Sequence, residues 1–247
     1  MDLILKMQNI IELIGVSMYR GKVKILKDVS WSIKKGSHWA LIGPNGAGKT
    51  SLLKIVSGNL WPSSGAVKVL GEEFGKTDLR ELKKKIGWVS SYLTEKIPSN
   101  EDILEIVISG KFASFGVYSK ITGKDRKKAL DLIKLLGIKH IVDRDYKVIS
   151  QGEKQKILIA RALMAEPLVL LLDEPAVGLD MKARDNLLAS ISKICKETKT
   201  TVIYITHHID EIVKEIDNVF LIKNGQVFKQ GKKKSVLTKG NLDKLFV

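Results

Sequence analysis

The sequence predicts an α/β fold: a mostly parallel sheet that carries an antiparallel β portion and is interrupted by a helical insertion. Three observations predict it. A glycine-rich loop at residues 43–51 joins a short apolar strand, Trp39–Ile42, to an amphipathic run, Leu52–Val56. The continuous apolar run Leu168–Leu172 reads as a strand buried on both faces, the habit of parallel sheets. Between roughly residues 100 and 148, Ala129, Leu130, Leu132, Ile133, Leu135 and Leu136 recur at helical spacing.

Ahead of Trp39–Ile42, the segments Ile10–Val16 and Val29–Ile33 read as strands. Gly65–Gly71 (GAVKVLG) alternates like a half-buried strand, and Ile86–Ser90 (IGWVS) reads as another. After the helix-rich stretch, strand and helix alternate. Leu168–Leu172 is followed by a helix over Lys182–Lys196, a strand over Thr201–Ile205 and a helix over Ile209–Glu215. Asn224-Gly225, between two short strands, predicts a type I′ hairpin, whose two central residues both need positive φ. The order predicts one domain over residues 1–247, with core and β portion in 1–90 and 151–247 and a helical subdomain in 91–150.

With 44% hydrophobic and 28% charged residues, the chain can build a core without staples. Its single cysteine, Cys195, can form no internal disulfide, and it shares a helical apolar pattern with Leu187, Leu188, Ile191 and Ile194. It reads as core packing. No apolar run reaches the ~18 residues of a bilayer-spanning helix. The apolar N-terminus carries Lys6 and Glu12 and lacks the basic start of a signal peptide. The expectation is a cytoplasmic chain, docked on a membrane only through partners. The net charge of +15 comes in runs such as LRELKKK, GKDRKK and GKKK, which read as a solvated lysine-rich surface. Such a surface also attracts phosphates, nucleic acid or anionic lipid.

The chemistry is concentrated in a few motifs. Gly43, Pro44, Asn45, Gly46, Ala47, Gly48, Lys49, Thr50 and Ser51 match G-x-x-x-x-G-K-[ST] in a strand–loop–helix context. The glycines let backbone N–H groups turn inward onto phosphate oxygens, and the following helix aims its positive end at the same anions. Lys49 is expected to reach the β- and γ-phosphates of ATP, Thr50 to ligate Mg²⁺ and Ser51 to reach the α-phosphate. The Leu168–Leu172 strand ends in Asp173-Glu174-Pro175, at the edge where parallel sheets bind ligands. Asp173 is expected to hold Mg²⁺ and Glu174 to polarise the attacking water. The competing reading is that both acids merely begin the next helix.

Residues 149–163, Ile-Ser-Gln-Gly-Glu followed by an arginine-containing helix, resemble the signature of ABC ATPases, commonly LSGGQ. Ser150 with Glu153 also makes a capping box, and the two readings are compatible. The resemblance covers essentially the whole chain. It implies a P-loop NTPase core of RecA-like type, with an antiparallel β subdomain and a helical subdomain. It implies that Ser150, Gln151, Gly152 and Glu153 face the γ-phosphate held by a second ATPase subunit, in a homodimer or heterodimer. It further implies that Tyr19 stacks on adenine, that Asp180 lies in a loop crossing the dimer interface and that His207 contacts the γ-phosphate. His208 is the weaker candidate beside His207, and His38 and His140 read as structural. The family's usual Gln after the Ile86–Ser90 strand is replaced by Ser91, which is expected to reach the metal through water. The pair Ser90-Ser91 and the stretch Ile108–Tyr118 resemble the molybdenum-transport branch. The family implies motion passed to separate transmembrane permease subunits at the cytoplasmic face of the membrane. Action on nucleic acid or ribosomes is the alternative; a single ATPase domain without a coiled-coil insertion favours transport.

Overall fold

The computed structural model of the protein describes residues 9–90, 93, 97, 101–112 and 120–247. The chain divides into two compact units, Met1–Lys83 with Thr201–Val247, and Lys84–Thr200.

The first unit is built on two sheets. β1 (Asn9–Arg20) and β2 (Val23–Lys34) form a long antiparallel hairpin that turns at Gly21, φ 60°. Both strands outrun the sequence pattern, because the hairpin tip around Tyr19 and Val23 is exposed and shows no apolar alternation. β1 also pairs antiparallel with β4 (Ser64–Val69), and β4 with the short β5 (Glu72–Glu73). In the other sheet, β3 (Trp39–Ile42) runs parallel to both β8 (Thr201–Thr206) and β9 (Asn218–Lys223). β10 (Gln226–Lys232) returns antiparallel along β9. Every residue of β3 and β8 is buried, as double coverage of a parallel strand requires. Trp31 of β2 closes the space between the sheets, its ring 4.6 Å from that of Phe220 and edge-on to Trp39 at 5.6 Å. The expected hairpin is present, with Asn224 at φ 51° and Gly225 at φ 77°. Helices α1 (Lys49–Val56), α7 (Lys233–Val236) and α8 (Lys239–Phe246) lie in the first unit, and α2 (Leu79–Lys84) ends one residue past its boundary at Lys83.

The helix expected over Ile209–Glu215 is instead a single 3₁₀ turn, Ile209–Glu211, after which Ile212 is extended. The reason is tertiary. Glu211, only 4% exposed, turns inward and accepts hydrogen bonds from Tyr204 Oη at 3.0 Å and Thr206 Oγ1 at 2.5 Å. Two buried hydroxyls without an acceptor would cost more than a short helix returns.

In the second unit, β6 (Ile86–Ser90) and β7 (Val169–Asp173) pair in parallel, with Ser90 opposite Asp173. Around them lie α3 (Ile103–Ser109), α4 (Gly123–Leu135), α5 (Gln151–Met164) and α6 (Met181–Glu197). Gly110 permits the close approach of α3 to α5: a Cβ there would lie 1.8 Å from the Arg161 carbonyl oxygen. Cys195 is buried on α6 with Leu187, Ile191 and Ile194, as its spacing predicts. Among the described residues, no helix is long and apolar enough to cross a membrane.

A capping box starts α4: Thr122 N and Oγ1 donate to Asp125 at 3.0 and 2.7 Å, and Lys111 Nζ adds a 2.7 Å bond. The Lys111 bond first, then those from Thr122, hold the Asp125 carboxyl down to about 2. A depressed carboxylate stabilises the fold above its ordinary value, 3.8 here, and that stabilisation disappears as pH falls toward 2. Asp125→Asn is therefore expected to unfold at lower temperature than wild type near neutral pH, with the gap closing between about pH 4 and pH 2. Thermal unfolding of both proteins across that range checks it.

Candidate functional site

The phosphate cradle lies in the first unit. β3 delivers the chain to Gly43, where a Cβ would sit 2.2 Å from the Ile222 carbonyl oxygen, so only glycine lets the loop leave the sheet here. Gly48 takes φ 100° as the N-cap of α1, and a Cβ on it would meet Leu26 Cδ2 at 2.7 Å. Helix α1 has no side-chain cap and no acid in its first turn. Its positive end is therefore left for an external anion, rather than being neutralised by the chain. Lys49, 6% exposed, lies over the loop and donates to the carbonyls of Gly43 at 2.8 Å and Pro44 at 3.1 Å. Asn45, Gly46 and Thr50 are exposed and Ala47 is buried, with its carbonyl accepting from Gly225 N at 3.2 Å. Ser51 is half-buried in the first turn of α1.

Strand register brings His207 to the same end of this sheet. Ile42, the last residue before the loop, lies opposite Thr206, the last residue before His207. The cradle and His207 thus emerge from the C-terminal ends of adjacent parallel strands. Thr206 Oγ1 accepts from His208 N at 2.9 Å while donating to Glu211, which fixes the turn that carries both histidines. Their rings lie 4.1 Å apart. Tyr19 is half exposed at the β-hairpin tip, opposite Lys24 in register and with the Lys24 ammonium 5.4 Å from its ring. The next residues of β2, Ile25 and Leu26, are those that bound Gly48.

The second unit holds the acid pair and the signature. Asp173, 7% exposed, ends the fully buried β7. Glu174 takes a left-handed backbone at φ 49°, a strained conformation for a side chain of this kind and one that concentrates at functional sites. The two acids do not start the next helix. α6 begins at Met181 and is capped by Asp180, whose carboxylate accepts from Ala183 N at 2.8 Å. Ser150 caps α5 in the expected box with Glu153. A Cβ on Gly152 would lie 3.1 Å from Ala183 Cβ, so the small residue lets α5 pack against the start of α6. Ser150, Gly152, Glu153 and Asp180 consequently line one open cavity of about 310 Å³. Gln151 is exposed beside them. Ser91 and residues 113–118 of the Ile108–Tyr118 stretch lie outside the described residues.

The family profile described as ABC transporter matches residues 26–177, from β2 through the acid pair. The chain belongs to the ABC transporter family. This ABC protein is 45% identical over 239 residues to an ABC transporter ATP-binding protein of Bacillus subtilis, YlmA, covering 96% of this chain and 90% of that one. It is 34% identical to the molybdate/tungstate import ATP-binding protein WtpC of Thermococcus kodakarensis, over 87% of this chain and 62% of that one. Among solved structures it resembles cbiO1 of Clostridium perfringens, part of the ABC transporter complex cbiONQ. The TM-score is 0.84 at 29% identity, covering 96% of this chain and 94% of that one. The fold is accordingly the ABC cassette, and the protein is an ATP-binding, ATP-hydrolysing subunit of the transport class. The names of these relatives speak for transport and none for nucleic acid.

Two residues of this ABC cassette escape a reading by motif. Glu211 anchors the turn bearing His207, and its signal is the buried hydroxyl pair Tyr204 and Thr206 at the end of a mostly apolar strand, which requires a buried acceptor. His140, which reads as structural in the sequence, lies beside the signature with Nε2 2.9 Å from Glu153 Oε1.

Proposed function

We propose that ATP binds with its phosphates in the Gly43–Ser51 cradle and its adenine on Tyr19, and that its hydrolysis drives a solute through separate membrane permease subunits. The observation that carries this reading is the register of Ile42 with Thr206, which supports the cradle and His207 serving one phosphate chain. Backbone N–H groups of the loop hold the phosphates, Lys49 exchanges its carbonyl partners for β- and γ-oxygens, and Ser51 binds the α-phosphate. The Thr50 hydroxyl and the Asp173 carboxylate are hard oxygen donors of the kind Mg²⁺ takes alongside phosphate and water. Mg²⁺ held by such donors would neutralise negative charge on the phosphates. Glu174 accepts the proton of the attacking water, and His207 steadies the γ-phosphate. Two copies, or two homologous subunits, close head to tail, with Ser150, Gln151, Gly152, Glu153 and the Asp180 loop completing the partner's site. The helical subdomain, residues 91–150, is the proposed contact with the permease at the cytoplasmic face of the membrane.

The test is Mg²⁺-dependent phosphate release by wild type and Glu174→Gln, with size analysis of both in ATP. Wild type should turn over, and the variant should lose about a hundredfold in rate and accumulate as a dimer. A variant that stays monomeric in saturating ATP and Mg²⁺, or turns over like wild type, overturns the reading.

A further inference from the structure

The signature of this chain holds an acid where the ABC pattern commonly has Gln, and its hydrogen bonds have a consequence for Ser150. Glu153 Oε2 accepts from Ser150 N at 2.8 Å and from Ser150 Oγ at 2.6 Å. Ser150 Oγ in turn accepts from Glu153 N at 3.3 Å. A hydroxyl has one proton to give, and here it is given to a carboxylate. Burial opposes ionisation of Glu153, but the bonds from Ser150 and the His140 ring outweigh it and hold the carboxyl below its ordinary value. Glu153 therefore carries its negative charge on the cavity wall that, in the reading above, receives the partner's γ-phosphate. Both effects oppose closure: the donor is occupied, and like charges meet.

The remaining oxygen, Oε1, faces His140 Nε2 at 2.9 Å. An ionised carboxylate only accepts, so the His140 nitrogen carries the hydrogen. Donors that converge on one carboxylate weaken each other's bonds, because each draws density from the same acceptor. His140 itself is well exposed, at 60% of its side chain, and its packing contributes little to the fold.

We propose that His140 is a positioning residue of the signature half-site. By bonding Oε1 it weakens the bond that Ser150 Oγ makes to Oε2, so that the hydroxyl is given up more readily to the incoming γ-phosphate. Lys156, Lys182 and Asp180 line the same cavity. Lys156 feels the Glu153 charge at longer range, whereas His140 and Ser150 bond the carboxylate directly. The proposal rests on the reading that Ser150 meets the partner's phosphate.

The test is a double-mutant cycle in the full chain, read by ATP turnover and by ATP-dependent dimerisation. His140→Ala alone should lower kcat roughly 3- to 10-fold, with KM for ATP nearly unchanged. Glu153→Gln should rescue it: His140→Ala/Glu153→Gln should match the Glu153→Gln single variant in both readouts. An equal loss from His140→Ala in the wild-type and Glu153→Gln backgrounds would mean that His140 only packs, and would overturn the proposal. Ser150→Ala, measured alongside, separates the two levels. If it binds ATP but no longer dimerises, the reading of the half-site holds and the cycle alone decides about His140. If Ser150→Ala dimerises and turns over like wild type, that reading falls and the proposal falls with it.

Discussion

Lys49→Met is expected to abolish most turnover, by about a thousandfold, while leaving the fold close to wild-type stability. Lys49 is buried at 6% exposure, and its ammonium donates to two backbone carbonyls of its own loop, at 2.8 and 3.1 Å. Those carbonyls pull the ammonium to the point over the loop where phosphate oxygens would replace them. Methionine keeps the length and the apolar stem, so packing against the loop is largely retained. What is removed is a full charge opposite the developing charge of the transferring phosphoryl group. Removing one such preorganised electrostatic contact typically lowers kcat by about 10²- to 10³-fold, and Lys49 also contributes to ground-state binding. Phosphate release, nucleotide titration and thermal unfolding of the one variant check all three parts. Unchanged turnover would remove Lys49 from the site.

Gly43→Ala is expected to act on fold and binding together. The added Cβ would lie 2.2 Å from the Ile222 carbonyl oxygen and 2.9 Å from Ile222 Cγ2. A flexible side chain could move aside, but a backbone carbonyl of β9 can move only with its strand. β9 is paired to β3 directly beneath the loop, so the clash separates the two strands that define the cradle. Overpacking usually costs about 1–3 kcal/mol, and a collision with backbone belongs at or above the upper end, about 3 kcal/mol. In a protein of this size that lowers the melting temperature by roughly 6–12 °C. ATP affinity should fall at least about tenfold, because the N–H groups no longer converge. Gly46→Ala is the built-in comparison. It has φ 78° but nothing within 4 Å, so only backbone strain of about 1 kcal/mol is expected there. Differential scanning of the two variants, with and without ATP, separates collision from strain.

The parts of the fold that were legible are those written locally. β3 and β6 have their expected bounds, because an apolar run between glycines or charges needs no distant partner to be recognised. The cradle, the capping box at Ser150 and the Asn224-Gly225 turn are likewise set by neighbours in sequence. The Ile209–Glu215 segment was not legible, because Glu211 takes its conformation from two hydroxyls on the preceding strand. The acid pair was ambiguous in sequence between helix start and strand end. The structure removes the ambiguity by giving the helix its own cap, Asp180, six positions after Glu174. His140 reads only as structural, and its bond to Glu153 is not legible, since that partner stands thirteen positions away across an irregular segment.

Ser150 and Glu153 begin a helix and, by the reading above, also meet a neighbouring subunit's nucleotide. Selection for folding and selection for catalysis therefore bear on the same two positions. A descendant that lost transport but still needed to fold would keep them, because replacing a capping serine by alanine costs about 1 kcal/mol whatever the protein does. Persistence of this motif in a lineage is thus poor evidence that the motor still runs. Lys49 and Glu174 are better witnesses. The left-handed backbone at Glu174 is a strain that an idle scaffold gains nothing by keeping, and Lys49→Met is expected to leave the fold near wild-type stability, so drift should change both first.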